Sequence, residues 1–84
     1  MKMTICSVFD SAAATYGRPF FVPSRQVGIR TFTDEVNRED EQSNLYLHPD
    51  DFSLFVIGEF DDQSGVFDTH APEVLIRAKD VKIV

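Results

Sequence analysis

Apolar and polar positions change period several times along the chain, and each change marks an element. From Lys2 to Phe9 the residues alternate, with Met3, Ile5, Ser7 and Phe9 on one side and Thr4, Cys6 and Val8 on the other. Both sides are mostly apolar or small, the pattern of a strand covered on two faces. Asp10 and Ser11 open a run of small residues, Ala12 to Ala14, that Gly17 and Pro19 close. That stretch predicts a short turn or a single helical turn, followed by an extended segment from Pro19 to Pro23, because the residue before a proline is pushed out of the α region. Ser24 then stands as an N-cap before Ile29, Phe32, Thr33 and Val36, which recur at helical spacing with Arg25, Arg30 and Asp34 off that face. Gly28 costs such a helix about 1 kcal/mol relative to alanine. Asn37 to Asn44 has no apolar residue and reads as a helix end running into a solvated loop.

Leu45, Tyr46 and Leu47 lead into His48-Pro49-Asp50-Asp51, a turn in which proline sets the backbone and the aspartates accept local hydrogen bonds. Phe52 to Phe60 is rich in aromatic and β-branched residues and is the strongest strand. Asp61 to Gly65 is too polar to continue it, and Val66 to Thr69 resumes an apolar pattern, so the two form a hairpin. The tail supports two patterns: Pro72 suits the first position of a helical turn, whereas Val74–Ile76 and Val81–Val84 suit strands. No repeat or linker divides the chain. The fold class expected is a single α+β domain over residues 1–84, with a small antiparallel sheet and one main helix.

At 84 residues the core is thin, since a chain of this size buries only about 60–65% of the surface its unfolded form exposes. Small cores rarely supply more than about 3–5 kcal/mol, and with eight phenylalanines to hide the chain is expected to form a homo-oligomer. The single cysteine, Cys6, cannot make an internal disulfide and is expected in the core. The opening residues lack the apolar h-region of a secretory signal, which points to a reducing cytoplasm. No apolar run approaches the ~18 residues of a membrane span. The net charge of −6 argues against a generic polyanion binder, but it is unevenly spread. Residues 1–33 carry Lys2, Arg18, Arg25 and Arg30 against Asp10, whereas residues 34–62 set ten acids against Arg38.

Catalytic candidates are few. Asp50-Asp51 and Asp61-Asp62 each flank a strand in turn-forming company, and neighbouring strand residues point to opposite faces, so both pairs read as solvated turns. Asp61 to Gly65 lacks the alternating-oxygen spacing of a calcium loop. His48, His70 and Cys6 give no zinc-ligand spacing, and the four glycines are too scattered for a phosphate loop. No enzyme, metal or other cofactor is expected. One constellation stands above this background: Tyr16, Arg18, Phe20, Phe21, Arg25 and Arg30 interleave rings and cations within fifteen positions. Aromatic platforms for bases and cations for phosphates are what single-stranded nucleic acid requires. The plain alternative is that Phe20 and Phe21 are core and the arginines pair with acids.

Three segments also occur in a known order. They are the stretch from Ile5 to Phe21 containing SVFDSAAATYGRPFF, the helix segment VGIRTFTDEVN at 27–37, and HPDDFSLFVIGEFDDQSGVF at 48–67. This ordered set resembles the small nonstructural protein of gokushoviruses, tailless single-stranded DNA phages of the Microviridae; the C-terminal EVLIRAKDVKIV matches least. The resemblance implies a non-enzymatic accessory role in phage single-stranded DNA synthesis or packaging, in the host cytoplasm. Its partner would be single-stranded DNA held on the basic aromatic face, or a phage or host replication or packaging protein held on the acidic surface.

Overall fold

A computed structural model describes residues 1–83. In chain order it contains strands β1 (Lys2–Asp10), β2 (Thr15–Tyr16) and β3 (Phe20–Val22), helices α1 (Arg25–Asn37) and α2 (Asn44–Leu47), strands β4 (Phe52–Asp61) and β5 (Phe67–Arg77), and a last helical turn α3 (Ala78–Val81). β1 is central, as its two apolar faces require. β4 pairs with it antiparallel along its whole length, from Lys2↔Asp61 to Asp10↔Phe52, and β2 and β3 share its other edge. β5 pairs with the far side of β4 and forms the sheet edge. The expected α+β class, antiparallel sheet and single main helix are all present.

α1 begins where the sequence places it. The Ser24 hydroxyl accepts the Val27 N–H at 3.2 Å and so satisfies one of the helix's free donors. Its buried stripe is Gly28, Phe32 and Val36, with Ile29 and Thr33 half-buried beside it. Gly28 is the point of closest approach: a Cβ there would lie 3.3 Å from Val22 Cγ2 and 3.4 Å from Cys6 Sγ. The glycine that weakens the helix in isolation lets it settle onto the sheet. Beneath it Cys6, Val22, Leu54 and Val56 join Phe32, Val36 and Ala78 in one core cluster.

Of the two patterns open for the tail, the strand holds as far as Arg77, with Pro72 inside an edge strand where a missing N–H is tolerated. Val81 instead belongs to α3, and Val84 lies outside the described residues. The tail is tied to the end of α1. Asn37 Nδ2 donates to the carbonyls of Thr33 and Val81, both at 2.9 Å, while its Oδ1 accepts the Ile83 N–H at 2.7 Å. Lys82 Nζ donates to the Val36 and Tyr46 carbonyls at 3.1 and 3.0 Å and sits 3.5 Å from the Tyr46 ring centre. A cation thus meets a carbonyl at the helix end, where the dipole favours it. α2, capped by Ser43, is too short for its period to show in the sequence.

The β1–β4 ladder is interrupted at one place, and that place decides which residues share a face. β1 residues Ile5 and Cys6 pair with Gly58 and Val56, so Ile57 is an extra residue, and the β4–β5 pairing also shifts between Val56 and Gly58. Such a bulge restarts the alternation of side chains. Gly58 occupies φ +157°, and a methyl group there would press on the Asp68 carbonyl oxygen and lie 2.8 Å from Thr69 Cα.

Two outcomes follow. Gly58→Ala is expected to lower stability by about 1–3 kcal/mol through backbone strain, read as a shift of the urea midpoint. Cys6 is fully buried, and burial pushes its thiol pKa up against the opposing pull of Arg25. The native thiol should therefore resist a bulky thiol reagent until the protein unfolds. Cys6→Ser should cost about 1–3 kcal/mol by burying a hydroxyl without a partner; rapid labelling of the native protein would show the placement to be wrong.

Candidate nucleic-acid interface

Register assigns every strand residue to a side. Cys6 faces α1, so Thr4 and Val8 do too, and Met3, Ile5, Ser7 and Phe9 face away. Across the sheet, the far side carries the rows Tyr16–Phe9–Ser53–Arg77, Phe21–Ile5–Gly58–Thr69 and Met3–Phe60–Phe67, with Ser7–Phe55–Val74 between them. Phe55 and Phe60 are five residues apart and would fall on opposite sides of a regular strand. The bulge at Ile57 brings both to this open face.

The rings gather in two groups. Phe9, Tyr16 and Phe55 have centroids 4.7–6.0 Å apart, and Phe21, Phe60 and Phe67 lie 4.7–6.2 Å apart, in tilted and edge-on arrangements. They shelter what lies between them. Ile5 is 3% exposed although it is not part of the cluster under α1. Ser7 is equally covered, its hydroxyl donating to the Gly17 carbonyl at 2.8 Å. The outer rings remain open to solvent: Tyr16 is 44%, Phe21 45% and Phe67 58% exposed.

Charge divides by side as well. The paired positions on the open face include Arg77 and no carboxylate. The helix side carries Glu59 and Asp68 on the row of Thr4, and Glu73 on the row of Cys6 and Val56. These acids border a cavity of about 350 Å³ beside the start of α1.

This geometry separates the residues that the sequence grouped. Tyr16 and Phe21 lie on the open face, and Arg18 is exposed in the loop that joins their strands. Phe20 points the other way and packs against the core. Arg25 stands at the first position of α1, where its guanidinium meets Glu73 at 3.4 Å, and Arg30 is exposed on the same helix. The sheet therefore lies between Arg25 and Arg30 and the exposed rings. Phe9, Phe55, Phe60 and Phe67 complete the face but were absent from the sequence constellation. Strand alternation reveals Phe9; the bulge hides the shared side of Phe55 and Phe60, for which Gly58 within an otherwise apolar strand is the available signal, and Phe67 depends on the pairing of β5 with β4.

The acidic pairs sit at turns and at the end of β4. Asp61 accepts the Gln63 N–H at 2.9 Å, and that bond, ahead of its contacts with Ser64, holds its carboxyl below the usual range. Asp50 and Asp51 belong to a 3-10 turn before β4. His48 and His70 are exposed. Among the described residues, no helix is long and apolar enough to cross a membrane.

Comparison with known proteins places this architecture. The family model described as Phage ORF5 protein matches residues 3–81, from the start of β1 to the end of α3. The chain is also similar to Protein ORF5 of Chlamydia phage 1, with 36% identity over 69 residues that span 80% of this chain and 72% of that protein. No solved structure matches. With the family model covering nearly the whole fold, the tail included, the chain belongs to the Phage ORF5 protein family, the gokushovirus family that its ordered motifs resemble.

Proposed function

We propose that this protein is a non-enzymatic accessory factor of phage single-stranded DNA synthesis or packaging in the host cytoplasm, and that it binds single-stranded DNA on the open face of its sheet. The observation that carries this reading is an exposed aromatic surface whose strand positions hold no carboxylate. Stacking on protein rings contributes about 1–3 kcal/mol per base and tolerates any sequence, since every base has a π-face. Duplex DNA, with its bases already stacked on each other, gains little from such a surface.

The net charge of −6 opposes a polyanion, yet none of the paired strand positions on this face carries a carboxylate, and Glu59, Asp68 and Glu73 sit on the helix side. Glu59, Asp68 and Glu73 belong to the same sheet but point to its other side, so a DNA strand on the open face meets the rings before those charges. Arg18 is the sequence-predicted arginine that borders the rings. A second reading rests on the helix side, where Glu59, Asp68 and Glu73 would suit a basic phage or host protein. Self-association would use the open face too, because the outer edge of β5 is broken by Pro72 and by register shifts.

Tyr16→Ala and Phe21→Ala are each expected to weaken binding of a single-stranded oligonucleotide by about 1–3 kcal/mol in a fluorescence-anisotropy titration. Arg18→Ala should reduce the salt slope by about 0.7. The double variant Arg25→Ala/Arg30→Ala should leave both quantities nearly unchanged, since these arginines lie behind the sheet. If the parent binds no oligonucleotide even at low salt, the DNA reading fails and the helix side becomes the surface to test with basic proteins. Light scattering gives an independent check: copies joined through the open face should separate when the oligonucleotide is added.

A further inference from the structure

We propose that one end of the open face is a subsite for a single nucleotide, with Arg77 and Lys79 holding its phosphate and Asp50 and Asp51 favouring amino-bearing bases over thymine. The inference rests on the DNA-binding reading and adds to it a second set of cations and a base preference. Its basis is a shallow cavity of about 360 Å³ where β1, β4 and the end of β5 meet. That volume lies at the lower end of the roughly 300–1,000 Å³ typical of small-molecule sites.

The lining supplies each contact that a nucleotide needs. Phe9, Phe55 and Val74 provide apolar walls, and Tyr16 extends them through its contacts with both phenylalanines. Arg77 and Lys79 line the same cavity, and neither forms an ion pair among the described residues. Arg25 and Arg38, by contrast, are engaged with carboxylates, and Lys82 with carbonyls. Arg77 shares a row with Phe9, two strand spacings or about 10 Å away, a gap that a stacked base and its sugar can bridge. Arg77 and Lys79 thus stand beside the ring cluster and not across the sheet from it.

Asp50 and Asp51 complete the lining, and their position is fixed. The Ser11 N–H and hydroxyl both donate to the Asp51 carbonyl, at 2.8 and 3.1 Å, and tie the turn to the end of β1. Carboxylates only accept hydrogen bonds. Cytosine, adenine and guanine each present an exocyclic amine that donates to them, as when Asp or Glu accepts from cytosine N4. At the position of the cytosine amine thymine presents O4, which a carboxylate repels, and its one donor, N3–H, is flanked by two carbonyl oxygens that oppose the approach. The four charged side chains sum to zero, so the subsite contributes selection more than bulk attraction.

The test compares oligo-dC with oligo-dT of equal length, two pyrimidine strands that differ at the edge in question. The parent protein is expected to bind oligo-dC about 5- to 100-fold more tightly. Asp50→Asn/Asp51→Asn should bring that ratio close to one while retaining binding. Arg77→Ala/Lys79→Ala should weaken both strands and lower the salt slope by about 1.4, or 0.7 for each lost phosphate contact. Equal binding of both strands by the parent overturns the subsite but leaves the DNA reading standing, and this comparison needs no variant to fold. An unchanged ratio in the folded aspartate variant also overturns it. Binding of neither strand overturns the DNA reading itself and the subsite with it.

Discussion

The alternation of side chains along β1 and β4, restarted once by the bulge at Ile57, is the constraint on which the two sides of this protein depend. In an uninterrupted β4, Phe55 and Phe60 would face opposite ways, and one of the two ring groups would lose its central member. With the extra residue in place, Phe55 joins Phe9 and Tyr16, while Phe60 joins Phe21 and Phe67. The same restart sends Glu59, between Gly58 and Phe60, to the helix side with Asp68. One inserted residue therefore decides both where the rings gather and where the carboxylates do not. Gly58 makes it possible, because no side chain fits between β4 and the Asp68 carbonyl.

The opposite side is governed by the approach of α1. With Gly28 against Cys6 and Val22, the helix lies low enough for Phe32 and Val36 to reach Leu54 and Val56, and that cluster is most of the core. So small a core leaves little margin, and the C-terminal tail supports it by tying the last turn of α1 to α2 and α3 through Asn37 and Lys82. No buried side-chain nitrogen or oxygen among the described residues lacks a partner. Polar groups are satisfied even at Ser7, which lies beneath the aromatic face.

Much of this was legible in the sequence where the signal is local. The alternation from Lys2 to Phe9, the Ser24 cap and the Asp61–Gly65 loop all depend on neighbours within a few residues; the structure places the first two as read, and the loop begins one residue later because Asp61 still pairs with Lys2. Long-range register was not legible. Tyr16, Arg18, Phe20, Phe21, Arg25 and Arg30 are close in the chain, but adjacent residues of a strand face opposite ways, so Phe20 and Phe21 part company. The helix that follows then carries Arg25 and Arg30 behind the sheet. Arg77 and Lys79 were equally hidden, since only the pairing of β5 with β4 brings them beside Phe9 and Phe55. The tail carried an ambiguous pattern because β5 is an edge strand, mostly exposed, on which burial imposes little periodicity.

A chain with net charge −6 can still offer a nearly neutral surface, because strand alternation sorts charge at no cost in composition. Coulombic repulsion between such a protein and DNA depends on where the charges sit and not on their sum. At a separation greater than the Debye length the ionic atmosphere removes most of it. Contacts at the open face are short by comparison, and stacking does not weaken with salt as phosphate contacts do. On the proposed complex, raising the salt would therefore act in two directions: it would screen the repulsion from the acidic side and weaken the contacts of cations to phosphate. A surface that relies on rings for affinity and on a few cations for placement is the arrangement for which these effects come nearest to cancelling, and an acidic sequence is then compatible with holding a single strand.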